Sequence, residues 1–397
     1  MGYLCLLSPH LQAQNLLLSL PSAPSGYSRA SSISRISGKL GEDEQGISLS
    51  ASFSSSYDSN LTHGSDTPGR AAEDDFVISP GVDFTYATVG TRWLAGARAA
   101  VSYDEYFDHS DFSGLNYDLA GFVGYTGGKV TASYFTSIGG GKATDIYSSR
   151  TTPIEKVIYI NKASFRYELS PKTSIVSTFN QNSTFSDTKG YADTSSYNLG
   201  VAGLWKFSPL TEIGPGLRYS YRTGENRPDV SAWGPNLNLN YQLSSKVSLR
   251  SVFGMDFQID PSGGDSTFNT AVTLHYEASE LWNANLTLFQ DTNVNPNIAG
   301  AIDEISAIRL GYKRKIRRLT LDLGVSLTTR STERLSGGGA ISSQDFDLMT
   351  YDASLTWPLF GDSADLRFAT RYQDLKGNTT ALSWDGFQTG MGFNWRF

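Results

Sequence analysis

The sequence predicts an all-β chain: a single transmembrane antiparallel up-and-down β-barrel of about 18 strands. Three observations predict it. Aromatic residues recur on the apolar face of alternating segments, each just before a tight turn: Tyr86, Tyr125, Tyr167, Trp205, Tyr241, Tyr276, Tyr312 and Trp357. Their gaps of 39, 42, 38, 36, 35, 36 and 45 positions match one hairpin with a short turn and a longer loop. Apolar and polar residues alternate with period 2, and short and long links alternate along the chain.

The elements follow in order from about Ile47. Short links are expected near Thr88–Thr91, Gly127–Gly128, Ser170–Pro171, Ser208–Pro209, Ser244–Ser245, Ser279–Glu280, Ile316–Arg317 and Leu359–Asp362. Long ones are expected near Asp58–Asp74, Asp104–Gly114, Gly139–Ile154, Ser186–Thr194, Gly224–Asp229, Asp260–Asp265, Asp291–Ala301, Ser331–Gln344 and Asp374–Leu382. In 236–243, Leu237, Leu239, Tyr241 and Leu243 alternate with Asn236, Asn238, Asn240 and Gln242. In 319–330, Leu319, Leu321, Leu323, Val325 and Leu327 oppose Thr320, Asp322, Gly324, Ser326 and Thr328. Phe122 and Phe289 fall on the polar face and Ser177–Ser183 is polar on both faces, so 16 or 17 strands stay open as alternatives. Short turns belong on the periplasmic side and long loops outside, which puts both ends of the barrel in the periplasm.

Composition fits this reading. Only 39% of residues are hydrophobic and mean hydropathy is −0.28, as expected when half of each strand faces water. Aromatics reach 12%, and 39 glycines accompany many Ser, Thr and Asn. A net charge of −7 without a basic tract argues against nucleic acid as a partner. Residues 1–13 end in Leu11-Gln12-Ala13 and read as the tail of a signal peptide that starts upstream. The single cysteine, Cys5, lies in that leader, leaving no disulfide or thiolate site. Residues 14–45 are Ser-rich and suit a flexible periplasmic extension, and 46–397 form the barrel.

Several short stretches carry a family resemblance: Tyr57-Asp58-Ser59-Asn60, Asp74 through Val82, Tyr167 through Thr173 and Tyr241 through Lys246. They resemble the β-barrel porin 2 group and related outer-membrane β-barrel proteins of Gram-negative bacteria. The resemblance implies a bacterial outer-membrane location, with lipid and lipopolysaccharide as surroundings, and names no substrate. Some relatives lie beside polysaccharide-export genes, which makes polysaccharide passage an alternative. The end Phe393, Trp395 and Phe397 resembles the signal read by the barrel-assembly machinery.

No catalytic constellation, cofactor motif or metal-ligand spacing appears, and an enzyme is not expected. His10 lies in the leader, His63 and His109 in outer loops, and His275 on a polar strand face beside Thr273 and Glu277. The acidic outer loops (Asp58, Asp66, Glu73, Asp74, Asp75; Asp104, Glu105, Asp108, Asp111) read as a solvated rim. Gly139–Gly141 and Gly337–Gly339 read as flexible loop. By parity Arg98, Arg166, Arg218, Arg222, Arg250, Arg309, Arg330, Arg367 and Arg371 point into the lumen. Asp83, Glu168, Glu277, Asp322, Asp352 and Asp365 do likewise. These charges are either a polar pore lining or a lattice of ion pairs that holds the wall.

The expected function is a porin-like channel for passive diffusion of small hydrophilic solutes. The third long link, Gly139–Ile154, is the expected inward-folded loop. The alternative is a structural or adhesion barrel whose lumen is plugged by residues 14–46. Self-association is left open, with the outer wall of every strand read as apolar for lipid.

Overall fold

A chain that crosses hydrocarbon must pair every backbone N–H and C=O within itself, and strands do so only in a closed sheet. In the computed structural model, the described residues are 46–65, 71–144, 152–189, 191–225, 229–259, 266–279, 281–294, 301–334, 344–360, 363–378 and 383–397. They form 18 strands. The first nine are β1 (Gly46–Asp58), β2 (Asp75–Val89), β3 (Trp93–Tyr106), β4 (Gly114–Gly127), β5 (Val130–Ala143), β6 (Ile154–Ser170), β7 (Thr173–Phe185), β8 (Thr194–Ser208) and β9 (Thr211–Gly224). The others are β10 (Val230–Gln242), β11 (Val247–Ile259), β12 (Ser266–Ser279), β13 (Trp282–Val294), β14 (Ala301–Ile316), β15 (Leu319–Arg334), β16 (Gln344–Leu359), β17 (Ala364–Gly377) and β18 (Trp384–Arg396). Among the described residues one 3₁₀ turn, Ser110–Phe112, is added, and no helix is long and apolar enough to cross a membrane.

Each strand pairs antiparallel with its sequence neighbours, and β1 closes on β18 from Ser50↔Arg396 to Asp58↔Gln388. The hoop has no free edge. Short turns and long loops fall at opposite ends as the link pattern predicts. The two-residue turn after β4 holds Gly128 at φ +58°, in the left-handed region that glycine enters without strain. One expectation fails here. Gly139–Gly141 are not loop but the end of β5, paired with Tyr117 of β4 and with Val157 and Lys156 of β6. The bare backbone makes room for large neighbours: a Cβ on Gly140 would lie 2.7 Å from the Tyr117 ring, and one on Gly141 1.9 Å from Asn116.

Cross-strand partners share a face, so the register sorts the wall into two surfaces. On one, Leu237, Leu323, Val325, Leu327, Phe368 and Met391 are exposed, as are Tyr86, Tyr167, Trp205, Tyr241, Tyr276 and Trp357 at the short-turn end. Tyr125 and Tyr312 stand at the same level, half-buried against Trp93 and Trp282. The other face carries nearly all the arginines and most of the carboxylates, and side chains on it meet across non-neighbouring strands. Only the inside of a hoop allows that. Apolar side chains therefore face lipid and polar ones the lumen, which makes this a membrane-spanning barrel.

A pair of adjacent substitutions tests the assignment. Leu237→Arg, in the middle of the apolar band, should cost about 2–4 kcal/mol of folding stability in lipid bilayers. Asn238→Arg, one position on and facing inward, should cost less than about 1 kcal/mol. Urea unfolding of both variants in bilayers reads the difference, and equal losses would reverse the face assignment.

Candidate lumenal site

Most of the inward arginines meet carboxylates. Arg98 on β3 sits between Asp83 on β2 and Asp118 on β4: its Nε donates to Asp83 at 2.7 Å and its Nη1 to Asp118 at 2.5 Å. Thr85 donates its hydroxyl to the same Asp83 at 3.0 Å. Arg166 donates two bonds to Glu212, at 3.1 and 2.6 Å, across β7 and β8. Arg330 pairs with Asp303, which also accepts from Thr332 at 2.7 Å. Arg371 meets Asp352 at 2.6 Å, and Arg396 meets Asp365 at 2.6 Å. Most of these charges stitch neighbouring strands, and Arg166 reaches from β6 to β9. Arg250 and Arg309 lie inward opposite Thr273 and Thr287, and Arg367 donates to Ser354 at 3.3 Å. Asp322 lies 3.9 Å from Lys313, and Glu277 and Glu168 lie inward opposite Asn283 and Ser174.

One cluster reaches further. Arg218 of β9 holds Asp291 of β13 at 2.9 Å and Asp256 of β11 at 3.5 Å, and its Nη2 donates to Asn198 Oδ1 at 2.8 Å. Arg222 joins Asp291 at 3.4 Å. β13 comes within 8 Å, Cα to Cα, of both β8 and β9, although three or four strands separate them around the hoop. The wall is drawn in and tied at this point. The sequence offers the right residue types, but nothing in its periodicity pairs strands four apart.

The inner wall is also uneven. On β2–β6 it carries a buried apolar cluster of Ala87, Leu94, Ala120, Phe122, Phe135 and Ile160. Lys162 beside it is only 2% exposed. Around β12–β18 the inner side chains are open instead. Arg371 and Asp352 are 50% and 45% exposed, and Ala271, Glu277, Asn285 and Arg367 are also exposed. His275 lies on this wall opposite Ser248 and Asn285.

An inward loop is formed by the first long link. Of the expected Gly139–Ile154 loop, 145–151 lie outside the described residues, and both ends are strand. The first loop buries Asn60, Leu61 and Thr62. Asn60 donates its amide to the Asp385 carbonyl at 2.8 Å, while Thr144, at the end of β5, donates to the Leu61 carbonyl at 3.2 Å. The His63 ring lies 4.2 Å from Trp384, whose own neighbours are Phe346, Leu348 and Leu375 on the inner face. The loop therefore spans the mouth from β18 to β5, seated on an apolar shelf. The leader, residues 14–45 and the 337–339 glycines lie outside the described residues.

The acidic rim contains a buried member as well. The Asp75 carboxylate accepts backbone N–H groups of Phe76, Phe107, Asp108 and His109 at 2.6–3.2 Å, with the His109 ring at 3.1 Å. It fixes the second outer loop to β2. Sequence reading counts it as one acid among several, because three backbone donors from the loop after β3 leave no sequence signal.

No protein-family model matches the chain, and no curated protein matches it. Among solved structures it is similar to the siderophore receptor PirA from Acinetobacter baumannii, with TM-score 0.46, 6% identity, and 89% of this chain against 81% of that one. It is also similar to the FrpB iron transporter from Neisseria meningitidis, with TM-score 0.46, 11% identity, 91% and 83%. A ferric enterobactin receptor mutant (PfeA) from Pseudomonas aeruginosa gives 0.43, 8%, 89% and 81%. At that distance the likeness is one of barrel shape, and no residue role or ligand carries over.

Arg98→Ala should leave two carboxylates facing each other in a buried setting, with a cost of about 3–5 kcal/mol. Adding Asp83→Asn and Asp118→Asn should recover part of that loss, because the repulsion goes with the charges. Unfolding midpoints of the single and triple variants in bilayers test it; no recovery would mean that Arg98 acts through packing alone.

Proposed function

We propose that this barrel is an outer-membrane channel through which small hydrophilic solutes diffuse passively. The observation that carries the reading is the open, charge-balanced inner wall of β12–β18. A hoop of 18 strands is wide enough to hold water. Along the open wall Lys313, Arg367, Arg371 and Arg396 are matched by Glu277, Asp322, Asp352 and Asp365, so neither ion sign is excluded. Inward Thr273, Asn285, Thr287, Gln373 and Gln388 add neutral donors and acceptors suited to hydroxylated solutes.

Short turns then face the periplasm, the eight aromatics form the inner girdle, and Phe393, Trp395 and Phe397 serve the assembly machinery. Two devices narrow the bore: the first loop across the external mouth, and the Arg218–Asp291 tie in the upper part of the wall. The ion-pair lattice holds the shape, and solute meets the remaining open lane.

Purified protein in planar bilayers should give discrete conductance steps with weak ion preference; folded protein without steps would remove the channel reading. Arg218→Gln with Arg222→Gln should release the tie and enlarge the steps. Arg367→Glu with Arg371→Glu should shift the reversal potential toward cations, as expected when charges lining a pore are inverted.

A further inference from the structure

We propose that the β14–β15 turn is a docking patch for the anionic phospholipid headgroups of the periplasmic leaflet. Five of the six residues from Lys313 to Arg318 are basic, with only Ile316 among them. The expectation of no basic tract fails here, because a whole-chain charge of −7 hides one short run. The expectation that every outer wall is apolar also fails, on β5–β8, but there the polar row is self-contained. Tyr134, Asn161, Gln181 and Ser183 bond one another, and Asn161 and Ser183 are buried. The basic turn is open.

Its charges are unlike those of the rest of the wall. Arg98, Arg166, Arg218, Arg330, Arg371 and Arg396 each meet a carboxylate. Lys313 faces inward and lies 3.9 Å from Asp322. Arg314, Lys315, Arg317 and Arg318 are exposed, and among the described residues none of them meets a carboxylate. Glu280 of the adjoining turn lies outside the described residues; counted against these four, it leaves an excess of three positive charges.

The backbone gives an independent sign. Ile316 pairs with Leu319, so Arg317 and Arg318 alone make the turn, and Arg317 has φ +57°. Gly127 and Val130 close the β4–β5 turn in the same way, and the matching position there is Gly128 at φ +58°. An L side chain is strained in that conformation and glycine is not. Arginine thus stands where the turn geometry favours glycine, and places a charge at the tip.

The surroundings select lipid over a soluble partner. Arg314 shares the lipid face with its register partners Trp282 and Leu321. The Trp282 ring centroid lies 5.0 Å from that of Tyr276 and 5.9 Å from that of Tyr312, and Leu281 and Ile316 are exposed nearby. Such aromatics sit at the headgroup boundary. Arg314 lies two residues beyond Tyr312. For a strand tilted near 40° that is about 5 Å further along the membrane normal, at the depth of the lipid phosphates. Guanidinium groups grip phosphate oxygens through paired hydrogen bonds, and basic clusters beside a membrane-spanning segment draw anionic lipid. The choice of leaflet rests on the proposed sidedness, with short turns in the periplasm.

The test uses the full chain in nanodiscs of phosphatidylcholine with a minority of phosphatidylglycerol, read by native mass spectrometry. Wild type should retain phosphatidylglycerol in preference to phosphatidylcholine. Arg314→Gln, Arg317→Gly and Arg318→Gln together should cut that preference about 100-fold, at roughly fivefold per charge. Glycine at 317 relieves the backbone, and heat-modifiability on gels checks that the barrel is folded. Lys129→Gln, Lys172→Gln and Lys246→Gln remove the same net charge from three other short turns and should leave the preference in place. In a Cys5→Ser background, Arg318→Cys should escape a membrane-impermeant maleimide in intact cells and react once the outer membrane is opened. No preference in wild type, an unchanged preference in the folded triple variant, an equal loss in the lysine control, or an acidic protein held at the turn in place of lipid would each overturn the patch. Labelling of Arg318→Cys in intact cells would overturn the proposal through its sidedness instead. Neither readout involves conductance.

Discussion

Backbone satisfaction in hydrocarbon is the constraint from which the rest of this molecule follows. With no water to accept a free N–H or C=O, a strand in the bilayer needs a neighbour on both sides, and a finite sheet supplies that only by closing. The nine pairs between β1 and β18 meet that demand. Closure then divides every strand into a lipid face and a lumenal face, and the period-2 sequence code is the imprint of that division. Length, low charge and the alternating links are all consequences of one hoop.

Inside the hoop the problem is opposite: many charges and little apolar surface to bury. The chain settles it by matching signs between adjacent strands, as Asp83, Arg98 and Asp118 do over β2, β3 and β4. Such a lattice stabilises shape more than it selects solutes, because each pair is largely neutral from a distance. Selectivity is left to the parts of the wall where pairs remain exposed to water, such as Arg371 with Asp352.

What the sequence made legible was the wall. Alternation in 236–243 and 319–330 requires strands, and aromatics beside tight turns give their order and sense, because both depend on neighbours close along the chain. What was not legible depended on distant partners. The Gly139–Gly141 run looks like loop until Tyr117 and Asn116 of the adjacent strand are seen to lie over it. The first loop bends inward because Trp384, more than 300 residues away in sequence, offers His63 a stacking surface. The polar outer face of β7 was visible as a segment polar on both sides, yet only the register aligned Gln181 with Asn161.

The tie between β9 and β13 changes how the size of the barrel should be judged. Barrel diameter grows roughly linearly with strand number, provided the strands lie on one convex curve. Here a guanidinium–carboxylate bond is a chord that cuts off four of the 18 strand intervals, from β9 to β13, and leaves 18 − 4 = 14 on the main arc. The larger opening is therefore that of a hoop of about 14 strands, with a small side lobe beneath β10–β12. Calibre in this protein is set by an electrostatic cross-brace as much as by its strand count.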